Sequence, residues 1–248
     1  MAFSKSIQSL GVRALGHEAQ VTGVRRLSPS VLRVELHSER CAGVPFTPGC
    51  KIKVHVGEGE MRSYTPARID ASVGEMDIVV FAQGDSAASR WVNGLQPGNA
   101  VHFLGPGSSV PAPRGSEPWA AFYGDETAIG LAEALLSALP PNALTFGAIE
   151  THEDETDAVK HLDLAAVSRR RASGEALVEH ARAASVPDGP GVVWLSGEAT
   201  AVVALREVWL ARGVSRDRLR IKPYWSVRGK AHRKTLERTV LSAEQRRP

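Results

Sequence analysis

Arg62, Tyr64 and Thr65 stand together in the run Arg62-Ser63-Tyr64-Thr65-Pro66, just after the turn Gly57-Glu58-Gly59. On a strand, an arginine and a tyrosine two apart share one face. A guanidinium suits a phosphate, a phenol ring can stack on a flat ring, and a threonine hydroxyl or amide can bond a ring nitrogen. A second run, Gly124-Asp125-Glu126-Thr127, follows an apolar segment, where an open parallel sheet places ligands. It lacks the G-x-G-x-x-G fingerprint of dinucleotide binding, and Asp125 reads equally well as a helix cap. Arg169-Arg170-Arg171 could take a 2′-phosphate or form a solvated basic patch.

From Ser215 onward there are 11 Lys or Arg against 3 Asp or Glu, a surplus of +8 in a chain of net charge +3. Such an end could meet nucleic acid, an anionic membrane or an anionic small ligand, or it could be a solvated helix. The eight histidines show neither H-x-x-x-H nor H-E-x-x-H spacing, so no metal site is expected. The absence of G-x-S-x-G and of a catalytic cysteine context argues against a hydrolase.

The elements that must carry these residues fall into two halves. Val21–Leu27, Val31–Leu36, Lys51–Val56, Met61–Arg68, Glu75–Ala82 and Val101–Leu104 read as short strands, with one helix at Ala87–Asn93 stopped by Gly94. That pattern predicts a small six-stranded antiparallel barrel. The Pro-, Gly- and Ser-rich stretch Gly105–Pro118 reads as a linker. Beyond it, strands at Trp119–Tyr123, Leu144–Ile149, Val192–Ser196 and Leu219–Lys222 alternate with helices at Thr127–Ala138, Gly174–Ala184 and Ala199–Ala211. This rhythm predicts a parallel sheet covered on both faces. The domains expected are residues 1–113 and 114–248.

At 248 residues, 43% hydrophobic and 23% charged, the chain is globular in composition and long enough for two cores. Cys41 and Cys50 cannot form a disulfide framework or a zinc knuckle. No secretory signal and no membrane span are read from the sequence, so a soluble, cytoplasmic protein is expected.

Four strings in order carry a resemblance. "MRSYTPAR" looks like the R-x-Y-T signature of ferredoxin-reductase-like flavoproteins, and more closely resembles the siderophore-interacting proteins, FAD-containing ferric-siderophore reductases. "GDSAASRWVNGLQPGNAVHFLGP", "FYGDETAIGLAEALLSALP" and "VVWLSGEATAVVALREVWLARGVSRDRLRIKPYW" are similar to the family's barrel helix, its strand–GDET–helix and its W-x-x-G-E-A helix with terminal Tyr-Trp. The resemblance spans roughly Val21 to Gly229. It implies a Greek-key FAD-binding barrel followed by an NAD(P)-binding-like domain.

In that reading Arg62 holds a flavin pyrophosphate oxygen, with Ser63 beside it, Tyr64 lies against the isoalloxazine, and Thr65 bonds near N5. Tyr64 and Thr65 are then the residues at the reacting ring. The helix start at Ser86, Ala87, Ala88 and Ser89 points backbone N–H groups at the pyrophosphate. Asp125, Thr127, Gly197 and Glu198 face the flavin or the nicotinamide. Lys53, Trp225, Arg228 and Lys230 are the implied contacts for an anionic ferric siderophore. The implied activity is electron transfer from NADPH or NADH, or from ferredoxin in some relatives, through FAD to Fe(III). Its alternatives are a flavin oxidoreductase with another acceptor and a non-enzymatic siderophore-binding protein. A monomer without nucleic-acid or membrane partners is expected. The chain departs from the family pattern at Ser86-Ala87, where relatives carry Gly-Pro, and at Ala82, where they carry histidine.

Overall fold

Strands whose side chains alternate between a buried and an exposed face make up the first half of the computed structural model. It describes residues 16–169, 174–229, 231–235 and 237. Seven strands, β1 (His17–Arg26), β2 (Val31–His37), β3 (Lys51–His55), β4 (Met61–Tyr64), β5 (Pro66–Asp70), β6 (Glu75–Phe81) and β7 (Ala100–Gly107), form one antiparallel sheet in the order β4-β3-β7-β1-β2-β6-β5. Their inward side chains, among them Val34, Leu36, Ile52, Val54, Ile78, Val101 and Phe103, build a single apolar core. Helix α1 (Ala87–Asn93) packs Ala87, Ala88 and Val92 against it.

The seventh strand corrects the expected six. The stretch predicted as one strand, Met61–Arg68, breaks at Thr65 into β4 and β5, which lie at opposite edges of the sheet. Only Thr65 separates them, so the chain itself passes from one edge to the other and closes the sheet into a barrel. Pro66 opens β5, a position where a residue without an N–H is tolerated. β7 also runs to Gly107, into the stretch expected to be linker.

Contacts divide the chain into two units, Met1–Ala112 and Pro113–Pro248. The second holds a five-stranded parallel sheet in the order β10-β9-β8-β11-β12, with β8 at Trp119–Asp125, β9 at Leu144–Thr151, β10 at Ala165–Ser168, β11 at Val192–Glu198 and β12 at Leu219–Trp225. Every residue of β8 and β11 is buried, as expected of central strands covered on both faces. The four-residue β10 was missed in the sequence because its run Ala-Ala-Val-Ser is too short and too small in side chain to declare a period. Helices α2 (Ile129–Leu136), α3 (Glu175–Ala183) and α4 (Ala199–Ala211) complete the unit. The first of them starts two residues later than expected, after a 3-10 turn at Glu126–Ala128.

Trp119, Tyr123, Leu195, Leu205 and Trp209 fill the core shared by the sheet, α3 and α4. The strand order reverses between β8 and β11, so the carboxyl ends of these two strands mark the switch point where such sheets bind ligands. Among the described residues no helix is long and apolar enough to cross a membrane, and no cluster of three or more His, Cys, Asp or Glu is placed to hold a metal ion.

Candidate functional site

In the barrel unit, register decides which side chains of β4 share a face. Arg62 lies opposite Val54 and Tyr64 opposite Ile52, two fully buried core residues, whereas Ser63 lies opposite Lys53. Directly opposed residues point to the same side of a sheet. Arg62 and Tyr64 therefore share one face, as their spacing predicts, while Ser63 and Lys53 are exposed on the other. The structure thus separates Lys53 from Arg62 and Tyr64.

Arg62 pairs with Glu60, and both side chains keep about a third of their surface exposed. A pair that open to water is worth little, so the guanidinium can be drawn to a better anion. Burial pushes the Tyr64 phenol up to about 12, against the opposing pull of Arg62, so the ring carries a neutral O–H at physiological pH. Thr65 is buried, 6% exposed, at the point where β4 gives way to β5.

The start of α1 is capped by serines. Ser86 Oγ accepts from the Ser89 amide at 3.1 Å and lies 2.8 Å from Ser89 Oγ, which in turn donates to the Gln83 carbonyl at 3.0 Å. Ser86 adopts φ −91° and ψ 161°, ordinary extended backbone, so the serine standing in place of the family's glycine is unstrained here. The amides of Ala87 and Ala88, in the first helical turn, have no carbonyl one turn behind them.

In the second unit a single carboxylate gathers the ends of three strands. Asp125 is 2% exposed at the end of β8. Its Oδ1 accepts from the Thr127 amide at 3.0 Å and from the Thr127 hydroxyl. Its Oδ2 accepts from the Glu198 amide at 2.9 Å and from the Trp225 indole at 2.8 Å. Gly197 makes this approach possible. It adopts φ +106°, and a Cβ there would lie 2.5 Å from Asp125 Oδ2.

Glu198 caps α4, with Oε2 accepting from the Thr200 and Ala201 amides at 2.6 and 3.0 Å. Its Oε1 accepts from the Val227 amide at 3.4 Å. Four residues expected at the coenzyme face, Asp125, Thr127, Gly197 and Glu198, are thus brought together, along with Trp225. Both carboxylates spend their lone pairs on the fold. Burial raises the Asp125 carboxyl above its ordinary value, against hydrogen bonds from Thr127 and Trp225 and the charge of Arg169.

Beside this cluster Arg169 is already occupied. Its guanidinium pairs with Glu126 and its Nε lies 3.3 Å from Glu150 Oε2, and both carboxylates are no more than 1% exposed. Glu150 also receives the Gly174 amide at 2.9 Å on each oxygen, and Glu126 Oε1 accepts from the His152 amide at 2.9 Å. Burial pushes the Glu126 carboxyl up to about 7, opposed by the charge of Arg169. The reading of Arg169 as an open phosphate ligand or solvated patch is therefore corrected. Arg170 and Arg171 lie outside the described residues, as does Lys230.

Arg228 is exposed, Trp225 is half-buried, and Lys222 pairs with Glu237, which also draws Arg233 to 3.9 Å. Part of the basic surplus is therefore neutralised. Sequence reasoning missed the Glu126–Arg169–Glu150 cluster, because acidic residues 24 apart carry no local signal. It also missed Arg90 and Trp91 on α1, which contact Glu58 and Tyr64.

Residues 53–110 match the family model described as the siderophore-interacting FAD-binding domain, and residues 117–228 match the model described as siderophore-interacting protein. A Mycobacterium tuberculosis protein described as uncharacterized is 34% identical over 91 residues, 36% of this chain and 32% of the relative. The match thus spans about a third of the length of that curated relative. Among solved structures, the siderophore-interacting protein of Acinetobacter baumannii superposes with a TM-score of 0.75 at 18% identity, covering 93% of this chain and 98% of that one. The ferredoxin reductase of a carbazole 1,9a-dioxygenase superposes with a TM-score of 0.72 at 20% identity, covering 85% of this chain and 69% of that one. At these identities the likeness shows the fold, an antiparallel barrel followed by a parallel-sheet domain covered by helices. With the FAD-binding model matched on the barrel and the second model on the parallel-sheet unit, in that order along one chain, the protein belongs to the siderophore-interacting protein family.

Proposed function

We propose that this protein is an FAD-dependent ferric-siderophore reductase that takes electrons from NADPH or NADH. The observation that carries the reading is the presence, on one chain, of the FAD-binding barrel and the siderophore-interacting unit. The residues on β4 and α1 suit the cofactor. Arg62 is a cation whose carboxylate partner, Glu60, is open to solvent and which otherwise donates to the Met61 carbonyl at 3.3 Å. Tyr64 offers a neutral ring on the same face, and the first turn of α1 offers the Ala87 and Ala88 amides.

Arg62 would hold the pyrophosphate with support from the Ser86–Ser89 turn, whereas the Ser63 side chain points to the other face of β4. Tyr64 would lie against the isoalloxazine and fix its plane, while Thr65 would sit at the ring's reactive edge. When bound, FAD supplies the conversion of one two-electron donor into two one-electron deliveries. Asp125 and Glu198 would act from behind. By holding Trp225, Gly197 and the Thr127 turn, they would fix the surface on which nicotinamide or acceptor rests. Two Fe(III) ions would be reduced to Fe(II) per NAD(P)H consumed, and the siderophore would release the less tightly held Fe(II). Exposed Lys53 on the barrel unit, and separately exposed Arg228 with Lys230 in the second unit, would each attract an anionic ferric siderophore by charge, an interaction that weakens with salt. Trp225 offers a ring for an aromatic siderophore arm.

The test is the visible spectrum of the purified protein, with FAD added if the protein is colourless, followed by anaerobic NADPH, then NADH, then a ferric siderophore. Visible flavin bands that one coenzyme bleaches, and that the siderophore restores with release of Fe(II), support the proposal. A flavin reoxidised by quinones but untouched by any ferric siderophore overturns the siderophore assignment. A flavin that neither coenzyme bleaches overturns the donor.

A further inference from the structure

Two consecutive residues of α1 grip β4 at both ends. Before the strand, Arg90 Nη2 and Nε donate to Glu58 Oε1 at 2.7 and 3.2 Å, while Nη1 donates to Asp85 Oδ1 and to the Asp85 carbonyl at 2.6 and 2.9 Å. At the other end, the Trp91 ring stacks on Tyr64, with centroids 6.4 Å apart and planes 26° from parallel. Glu58 sits at the tip of the turn that leads into β4, in left-handed backbone at φ +52°, a conformation that a glutamate adopts at a cost. That turn is closed by the Glu60 amide on the Gly57 carbonyl at 2.8 Å and the Val56 amide on the Glu60 carbonyl at 3.0 Å. Arg62 and Tyr64 lie between the two anchors.

We propose that Arg90 and Trp91 are positioning residues of the FAD site, with α1 acting as a splint for β4. The proposal rests on the reading of Arg62 and Tyr64 as FAD contacts. A ring stacked on a neighbour is held against rotation, so the plane Tyr64 offers to a flavin is set by where Trp91 lies. Arg90 fixes the turn that delivers Glu60, the partner of Arg62, and so sets where the strand begins. The two anchors differ in kind. Trp91 packs against the barrel core, whereas Arg90 and Glu58 are exposed, so the first acts by shape and the second by a charge contact that salt screens.

FAD affinity, read by quenching of flavin fluorescence, and the visible circular dichroism of the bound flavin test the idea on the full chain. W91L should raise the FAD dissociation constant about 3- to 10-fold and change the flavin's dichroic band, while W91F, which keeps a ring, should stay within about 2-fold. R90A and E58A should each weaken FAD about 2-fold at low ionic strength, and the difference should vanish in high salt. A loss of thermal stability in W91L with unchanged affinity and unchanged dichroism overturns the proposal, because it makes Trp91 structural only. If W91L does not fold, the surface variants carry the test, and wild-type affinity in both overturns the proposal. A wild-type protein that takes up no FAD overturns the flavin reading itself, a result distinct from a wild type that binds and variants that bind equally well.

Discussion

Trp225 and Asp125, a hundred residues apart in sequence, meet at the carboxyl ends of β12 and β8, where the indole N–H donates to Oδ2 across 2.8 Å. Neither strand neighbours the other, since β11 lies between them. The carboxylate reaches across the end of β11, which is open at that point because Gly197 has no side chain. Asp125 thereby organises the carboxyl end of the sheet.

Replacing Asp125 with asparagine should cost stability. Four donors converge on the carboxylate, and an amide turns one of its ends into a donor facing other donors. A loss of about 2–4 kcal/mol is expected in urea denaturation, with Trp225→Phe costing nearer 1 kcal/mol. Equal and small losses in both variants would show that the indole bond is the only one of the four that matters.

Gly197→Ala brings a Cβ to 2.5 Å from Asp125 Oδ2 at a backbone φ of +106°. Strain and displacement of the carboxylate should together destabilise the fold by about 2 kcal/mol or more. The same denaturation series checks this. The combined Gly197→Ala and Asp125→Ala variant should lose less than the two single losses added together, because the clash is gone.

Arg62→Ala should separate binding from stability. Both side chains of its pair with Glu60 are about a third exposed to water, so unfolding should change by no more than about 0.5 kcal/mol. FAD affinity should fall about 10-fold or more, and Arg62→Lys should fall between, because lysine keeps the charge but loses the fork. Flavin content after gel filtration and fluorescence titration both report this, and unchanged FAD affinity in the alanine variant would remove Arg62 from the site.

The Glu126 carboxyl supplies a pH dependence. Burial lifts it to about 7 in the folded protein, above its ordinary value near ~4.3. The folded state then binds this proton more tightly than the unfolded state does. Its contribution is fully present below the ordinary value and is lost as pH rises through about 7. Unfolding free energy measured from pH 4.5 to 8 should therefore carry a falling component that Glu126→Gln removes. A variant curve parallel to the wild type would show that Arg169 keeps Glu126 ionised throughout.

Both fold classes were legible because each depends on a local period. The alternation in Lys51–Val56 and the apolar runs of β8 and β11 give strand, face and layer without reference to distant residues. The division of Met61–Arg68 was not legible. A strand that crosses from one sheet edge to the other has the same alternation as one that does not, and only closure of the barrel places Thr65 at the break.

By itself the sequence determined that Arg62 and Tyr64 share a face, because strand period is a property of neighbouring residues. It also brought Asp125, Thr127, Gly197 and Glu198 to strand ends, because the turn and cap residues there are local signals. Which of these side chains remain open to a ligand was decided only by tertiary structure. Asp125 and Glu198 are consumed by amides and an indole from other strands and loops, and Arg169 by two carboxylates 43 and 19 residues before it. Availability depends on what the rest of the chain brings within hydrogen-bond reach, and that is fixed by the sheet order β10-β9-β8-β11-β12.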